Sequence, residues 1–376
     1  MPRFRCISCG FVSHNYSERC PQCGFLTELV PDKLEWSLNE DEPTIWRYKN
    51  LLPPEKRRVS LGEGFTPLRR LEGILVKDET RNPTGSYVDR GSSVLASCSD
   101  LPERVELDFS QDVTTSLATY LLEAGVGVGV RVDPENVELT ELLYLSSLEV
   151  TISFDGGTGK IYESPYMIEG FKTIAYELYE ARDELEGVVV PAESGVLAYG
   201  IMKGFFELEE MSLMRVPPMY LAYHGDGRTK LLEILESRGA RLVEVDAASA
   251  LESLMHLAKR GLYVKPVAAK AYSLASRLGG DKVAILTGSG LRKWHEPEPD
   301  RPLTKLQVRI LEILEKGGEM TAYQVWRLLG DASLQGVYKA LSKLVETGMV
   351  KSRQIMSKKR KIRLYSAKGI EARKCR

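Results

Sequence analysis

Between residues 75 and 291, short apolar runs rich in β-branched residues alternate with stretches whose apolar residues recur at helical spacing. The runs are "ILVK", "RVELDF", "VGVGVRV", "LEVTISF", "GVVVPA", "MYLAYHG", "RLVEVD" and "KVAILTG". Among the intervening stretches, "MIEGFKTIAYELYEAR" places Ile168, Phe171, Ile174, Ala175 and Leu178 on one helical face. Alternation of this kind predicts an α/β core, with parallel sheets covered by helices. The glycines of "GVGVGV" lack the third glycine of a dinucleotide fingerprint and sit inside a strand pattern, so they are assigned to the strand. A chain of 376 residues is long enough for two or three domains, and 43% hydrophobic residues can fill a sizeable core. No apolar run approaches the roughly 18 residues that would span a bilayer. The opening "MPRFRC" lacks the apolar region of a secretory signal, so a soluble, cytoplasmic chain without a membrane partner is expected.

Of the six cysteines, Cys6, Cys9, Cys20 and Cys23 form two C-x-x-C knuckles, each followed by a glycine. Four thiolates at this spacing converge on one tetrahedral ion, and a site filled by four cysteines leaves no open position for catalysis. A structural zinc ribbon over residues 1–28 is the expectation, with His14 on its surface. Residues 29–58 carry Pro31, Pro43, Pro53 and Pro54 among isolated aromatics and read as a connector. The proline-rich "HEPEPDRP" marks a stiff linker, 297–302, between a core at 59–296 and a final module at 303–376.

The net charge of -1 conceals an asymmetry. From residue 301 onward there are 18 Lys and Arg against 6 Asp and Glu, so the last module is strongly basic and the body acidic. The module reads as one amphipathic helix, a short helix capped by Thr321, a longer helix capped by Ser333, and two strands joined by the tip "SKKRK". This resembles a winged helix-turn-helix, which implies double-stranded DNA as partner. Gln335, Tyr338, Lys339 and Ser342 would then lie on the exposed helix face, and Lys339 and Lys343, with Lys358, Lys359, Arg360 and Lys361 of the wing, would neutralise phosphates.

The middle of the chain resembles threonine synthase, a fold-type II pyridoxal phosphate enzyme. The resemblance rests on "SLGEGFTPL", "VKDETRNPTGSYVDRG", "TSLATY", "YMIEGFKTIAYEL", "VVVPAESGVLAYGIMKGFFEL" and "AILTGSGLRK", in that order. It implies a small domain, here shortened, over about 95–165, and a dimer. It also implies a lysine that carries the cofactor where this chain has Val88, and valine has no nucleophile. Lys77, Lys172 and Lys203 are the lysines nearby in sequence. In the turn that resembles the cofactor-phosphate turn, Glu193 and Val196 flank Ser194 and Gly195 in place of glycines. In the loop that resembles the substrate-carboxylate loop, Ser110 and Gln111 precede Asp112, which stands where an asparagine is expected. Thr84 and Ser86 before the lost lysine, and Thr287 of "TGSG", persist.

These departures predict a pseudoenzyme. The expected function is a homodimeric DNA-binding transcription regulator on an inactive scaffold, with structural zinc and no pyridoxal phosphate. Thr84, Ser86, Ser110, Gln111, Asp112, Ser194, Gly195 and Thr287 would remain as a vestigial pocket for an amino acid or related small-molecule effector. The alternatives are a pyridoxal phosphate-dependent lyase with a relocated lysine and a ligand-independent dimeric DNA-binding protein.

Overall fold

The computed structural model describes residues 3–135, 137–155, 163–182, 184–225, 228–291, 304–330, 332–346, 349–357 and 360–367. Two compact units divide the chain, Met1–His295 and Glu296–Arg376. The first begins with a three-stranded antiparallel sheet, β1 (Arg3–Cys6), β2 (Val12–Ser13) and β3 (Thr27–Val30), in the order β2-β1-β3. Gly10 and Gly24 follow the two cysteine pairs at φ +75° and +69°, a backbone that turns beneath the sulfurs at little cost only without a side chain.

All eight apolar runs are strands. The larger sheet contains β4 (Leu68–Leu71), β5 (Ile74–Asp78), β9 (Gly187–Pro191), β10 (Met219–Tyr223), β11 (Arg241–Glu244) and β12 (Lys282–Leu286). Its order is β11-β10-β9-β12-β5-β4, parallel except for the edge strand β4. The smaller sheet, β6 (Arg104–Asp108), β7 (Gly127–Arg131) and β8 (Val150–Ser153), is fully parallel. The connecting helices are α1 (Val88–Cys98), α2 (Val113–Glu123), α3 (Leu139–Ser146), α4 (Pro165–Ala181), α5 (Val196–Glu210), α6 (Lys230–Ser237), α7 (Ala247–Ala258) and α8 (Pro266–Leu278).

The two-residue period of the strands splits the larger core in two. Leu75, Val188, Val190, Val283 and Ile285 point towards α1, α4 and α5, whereas Val76, Val189, Ala284 and Leu286 point towards α7 and α8. Helices α1, α4 and α5 lie unusually close. A Cβ on Gly170 would stand 2.2 Å from the Arg90 carbonyl oxygen, and one on Gly204 would stand 2.5 Å from that of Lys172.

At the centre of this contact lies a fully buried guanidinium. Arg90 of α1 donates to both oxygens of Glu79 (2.7 and 2.8 Å), to Glu177 of α4 (2.5 and 2.9 Å) and to Thr173 (3.0 Å). Lys77 of β5 donates to the same Glu177 carboxylate at 2.5 Å and to the Thr66 carbonyl at 2.6 Å. Burial works to raise the Glu177 carboxyl, but Arg90 and Lys77 overcome it and hold the group at about 2. Two cations and two carboxylates thus cancel in charge while tying β5, α1 and α4 together.

The second unit holds α9 (Lys305–Gly317), β13 (Met320–Thr321), α10 (Ala322–Leu329), α11 (Leu334–Glu346), β14 (Val350–Ser357) and β15 (Arg360–Ala367). Its antiparallel sheet has the order β13-β15-β14. Capping boxes at Thr304 with Gln307 and at Thr321 with Gln324 start α9 and α10. Ser333 accepts from Gly336 N–H at the start of α11. Ile310, Leu314, Val325, Val337, Leu341 and Leu344 form this unit's own core.

Removing the guanidinium leaves two buried carboxylates without their main partner, so Arg90→Met is expected to cost at least about 3 kcal/mol. Chemical denaturation measures it, and a loss below about 1 kcal/mol would contradict the assigned role.

Candidate active site

The two parallel sheets bring the C-terminal ends of β5, β6, β9 and β12 to one cleft of about 760 Å³, the place where open α/β sheets ordinarily hold ligands. Four loops form it. The loop after β5 ends in Tyr87 and Val88 at the start of α1. It is held by Tyr87 N–H to the Thr287 carbonyl (3.0 Å), by Ser289 N–H to the Gly85 carbonyl (2.8 Å) and by a bridge between Ser86 and Gly288. Val88 lines the cleft yet has no exposed surface.

Beneath this loop lies Asp89, fully buried. It accepts from Thr84 N–H (2.7 Å), Thr84 Oγ1 (2.6 Å) and Ser116 Oγ (2.6 Å). Burial pushes its carboxyl up to about 7 against the opposing pull of those hydrogen bonds.

The loop after β6 contributes Ser110, Gln111 and Asp112, the last at φ +62°. The loop after β9 contributes Glu193, Ser194 and Gly195 and turns into α5 through Gly195 at φ +90°. Ser194 Oγ accepts from Val196 N–H at 3.4 Å, so the first turn of a 15-residue helix opens on the cleft. Glu193 is exposed to solvent. The loop after β12 contributes Thr287, Ser289 and Gly290.

Ser110, Gln111, Asp112, Ser194, Gly195 and Thr287 therefore line one cleft. Thr84 and Ser86 do not line it; both are buried behind it, and Thr84 serves Asp89. The three lysines nearest in sequence are elsewhere. Lys77 binds Glu177, Lys172 binds Glu169 and Glu207, and Lys203 binds Glu169, all as buried ion pairs.

Among the described residues, the amines lining the cleft are Lys265 and Lys270, which sequence reasoning missed. Lys265 caps α8 and is held by Glu141 (2.5 Å) and Asp112 (3.1 Å). Lys270 is half-buried one turn further along α8, and no ion pair holds it among the described residues. The signal was present as "KPVAAK", a lysine pair around a proline that starts a helix.

The four cysteine sulfurs lie within 4.8 Å of one another, with Cys6 to Cys23 at 3.4 Å and Cys9 to Cys20 at 3.6 Å. In the second unit Tyr338 and Lys339 are exposed on α11 and Lys343 is half-buried. Lys358 and Lys359, and the side chains of Gln335, Arg360 and Lys361, lie outside the described residues.

No family model matches the chain. It is 28% identical over 282 residues to a threonine synthase of Methanocaldococcus jannaschii, covering 64% of this chain and 69% of the relative. It is 26% identical over 280 residues to one of Methanosarcina acetivorans, covering 63% and 68%. Among solved structures it is similar to threonine deaminase isoform 2 of Solanum lycopersicum, with a TM-score of 0.54 at 13% identity over 70% of this chain and 95% of that one. Maize serine racemase gives a TM-score of 0.51 at 14% identity over 60% and 88%.

The chain is thus threonine synthase-like in sequence, and its core has the fold-type II architecture. These comparisons overturn the expectation of a DNA-binding transcription regulator on a pseudoenzyme scaffold, because the similar proteins are named for enzymes. They also speak against the expectation of no pyridoxal phosphate, since the similar proteins are threonine synthases and a threonine deaminase. The basic charge and helical pattern behind the DNA reading are real, but they describe the second unit alone. No helix among the described residues is long and apolar enough to cross a membrane.

The raised Asp89 carboxyl has a signed consequence. A carboxyl raised in the folded state stabilises fully below its unfolded value near 4, and that contribution is lost as pH rises through about 7. The stability of the wild type relative to Asp89→Asn should therefore fall by up to about 4 kcal/mol between pH 4 and pH 8. Denaturation at both ends measures it, and a pH-independent difference would contradict the assignment.

Proposed function

We propose that the cleft is the active site of a threonine synthase-like enzyme that takes pyridoxal phosphate and acts on an amino acid, with Lys270 supplying the amine that position 88 lacks. The observation that carries this reading is Lys270 itself, an amine lining the cleft with no carboxylate holding it among the described residues. Val88 excludes covalent attachment at its own position, and Lys265 is committed to two carboxylates.

The residues suit the cofactor in two further respects. The first turn of α5, with Ser194 and Gly195, offers backbone N–H groups and the positive end of a helix to a phosphate. Glu193 also lines the cleft, but it is exposed, so water screens its charge. Thr287 brings a buried hydroxyl residue to the cleft from the end of β12, the strand beside β9. When bound, pyridoxal phosphate supplies an electron sink for a carbanion at an amino acid's α-carbon. This chain's part is to anchor the phosphate at α5 and hold a proton at the Lys270 amine. The walls at Tyr87, Val88 and Val113 keep water from the reacting atoms.

Two structural readings accompany it. The sulfur separations at Cys6, Cys9, Cys20 and Cys23 suit one zinc ion, whose bonds of about 2.3 Å require tetrahedral edges of about 3.8 Å. The three helices and β13-β15-β14 sheet of the second unit support a winged-helix fold for it.

Borohydride treatment of the protein loaded with pyridoxal phosphate is expected to fix the cofactor on the peptide containing Lys270. Lys270→Ala should lose at least nine-tenths of the label. Absence of any fixed label, or undiminished labelling in the variant, would overturn the reading. Strong chelation should release one zinc per chain, and release of none would refute the metal reading.

A further inference from the structure

The cleft lies between two lobes that meet through charge. The smaller sheet with α2 and α3 forms one lobe, and the larger sheet with α8 forms the other. Glu141 of α3 has no exposed surface, and its carboxylate sits on the first turn of α2. There it accepts from Asp112 N–H (2.8 and 3.1 Å) and from Thr115 Oγ1 (2.9 Å). From the other lobe, Lys265 reaches across to Glu141 at 2.5 Å and Asp112 at 3.1 Å. The three side chains are only 0%, 13% and 16% exposed for Glu141, Asp112 and Lys265, so water screens the contact weakly.

A second observation points the same way. Gly288, in the loop after β12 of the larger lobe, leaves the space into which the Asp112 carboxylate fits. A Cβ there would stand 2.7 Å from Asp112 Oδ2. Asp112 itself holds φ +62°, a backbone that non-glycine residues adopt only at a cost and keep only where neighbours fix them. The strain, the glycine seat and the two ion pairs fall at one point, where the lobes touch at the mouth of the cleft.

We propose that Lys265, Asp112 and Glu141 form an interlobe clasp, and that the cleft opens and closes by breaking and remaking it. The clasp differs from the Arg90 cluster, which lies inside the larger lobe and ties its own strand and helices together. Opening exposes the first turn of α2 and the capping residue of α8, while the packing of α4 on α5 is unchanged. The clasp does not depend on which amine or cofactor the site uses.

Amide hydrogen exchange on the full chain tests it with two variants. Glu141→Gln keeps an acceptor for Asp112 N–H and Thr115 but loses the charge that grips Lys265. Lys265→Met removes the other half. Each is expected to speed exchange at least ten-fold in the first turn of α2, with exchange in α4 and α5 unchanged, and the double variant should be no faster than Lys265→Met. Unchanged exchange in α2, or acceleration spread equally over α4 and α5, would overturn the clasp, the second because the pairs would then hold the whole fold.

Discussion

The buried guanidinium of Arg90 is the constraint on which the rest of the first unit depends. It sits where α1, α4 and β5 meet, and each of its donors is used by a carboxylate or a hydroxyl. A charge of this kind is tolerated in a core only when it is fully paired, because an unpaired ion there costs several kcal/mol. The pairing fixes the start of α1, and with it Tyr87, Val88 and Asp89. The cleft is therefore built outward from a charged core, and the close helix contacts at Gly170 and Gly204 hold the cluster tight.

Much of the fold could be read from the chain. Strands show as apolar runs because both faces of a parallel sheet are covered, and each of the eight runs forms one. The cap residues Thr321 and Ser333 start α10 and α11 as their side-chain chemistry suggests. The ion clusters were not legible. Lys77, Glu79, Arg90 and Glu177 are scattered over 101 positions and read singly as polar surface, and only the sheet topology brings them together.

The site was legible in part, and for a related reason. Ser110 to Asp112, Ser194, Gly195 and Thr287 lie at the C-terminal ends of strands, so motif reading finds them. Lys265 and Lys270 belong to a helix start far in sequence from position 88, and only the fold brings that helix to the cleft. The expectation of an inactive scaffold followed from Val88, Glu193, Val196 and Asp112, which stand where the resemblance expects other residues. The basic second unit then supplied a function that the similar proteins do not support.

With an anion cradle at α5, the cleft is proposed to hold pyridoxal phosphate although position 88 is valine. Titrating the purified protein with pyridoxal phosphate, and in parallel with pyridoxal lacking the phosphate, tests it most directly by the change in cofactor absorbance. Saturable binding of one pyridoxal phosphate per chain, at least ten-fold tighter than pyridoxal, is the result expected. Non-saturable binding of both, or equal affinity for the two, would contradict it.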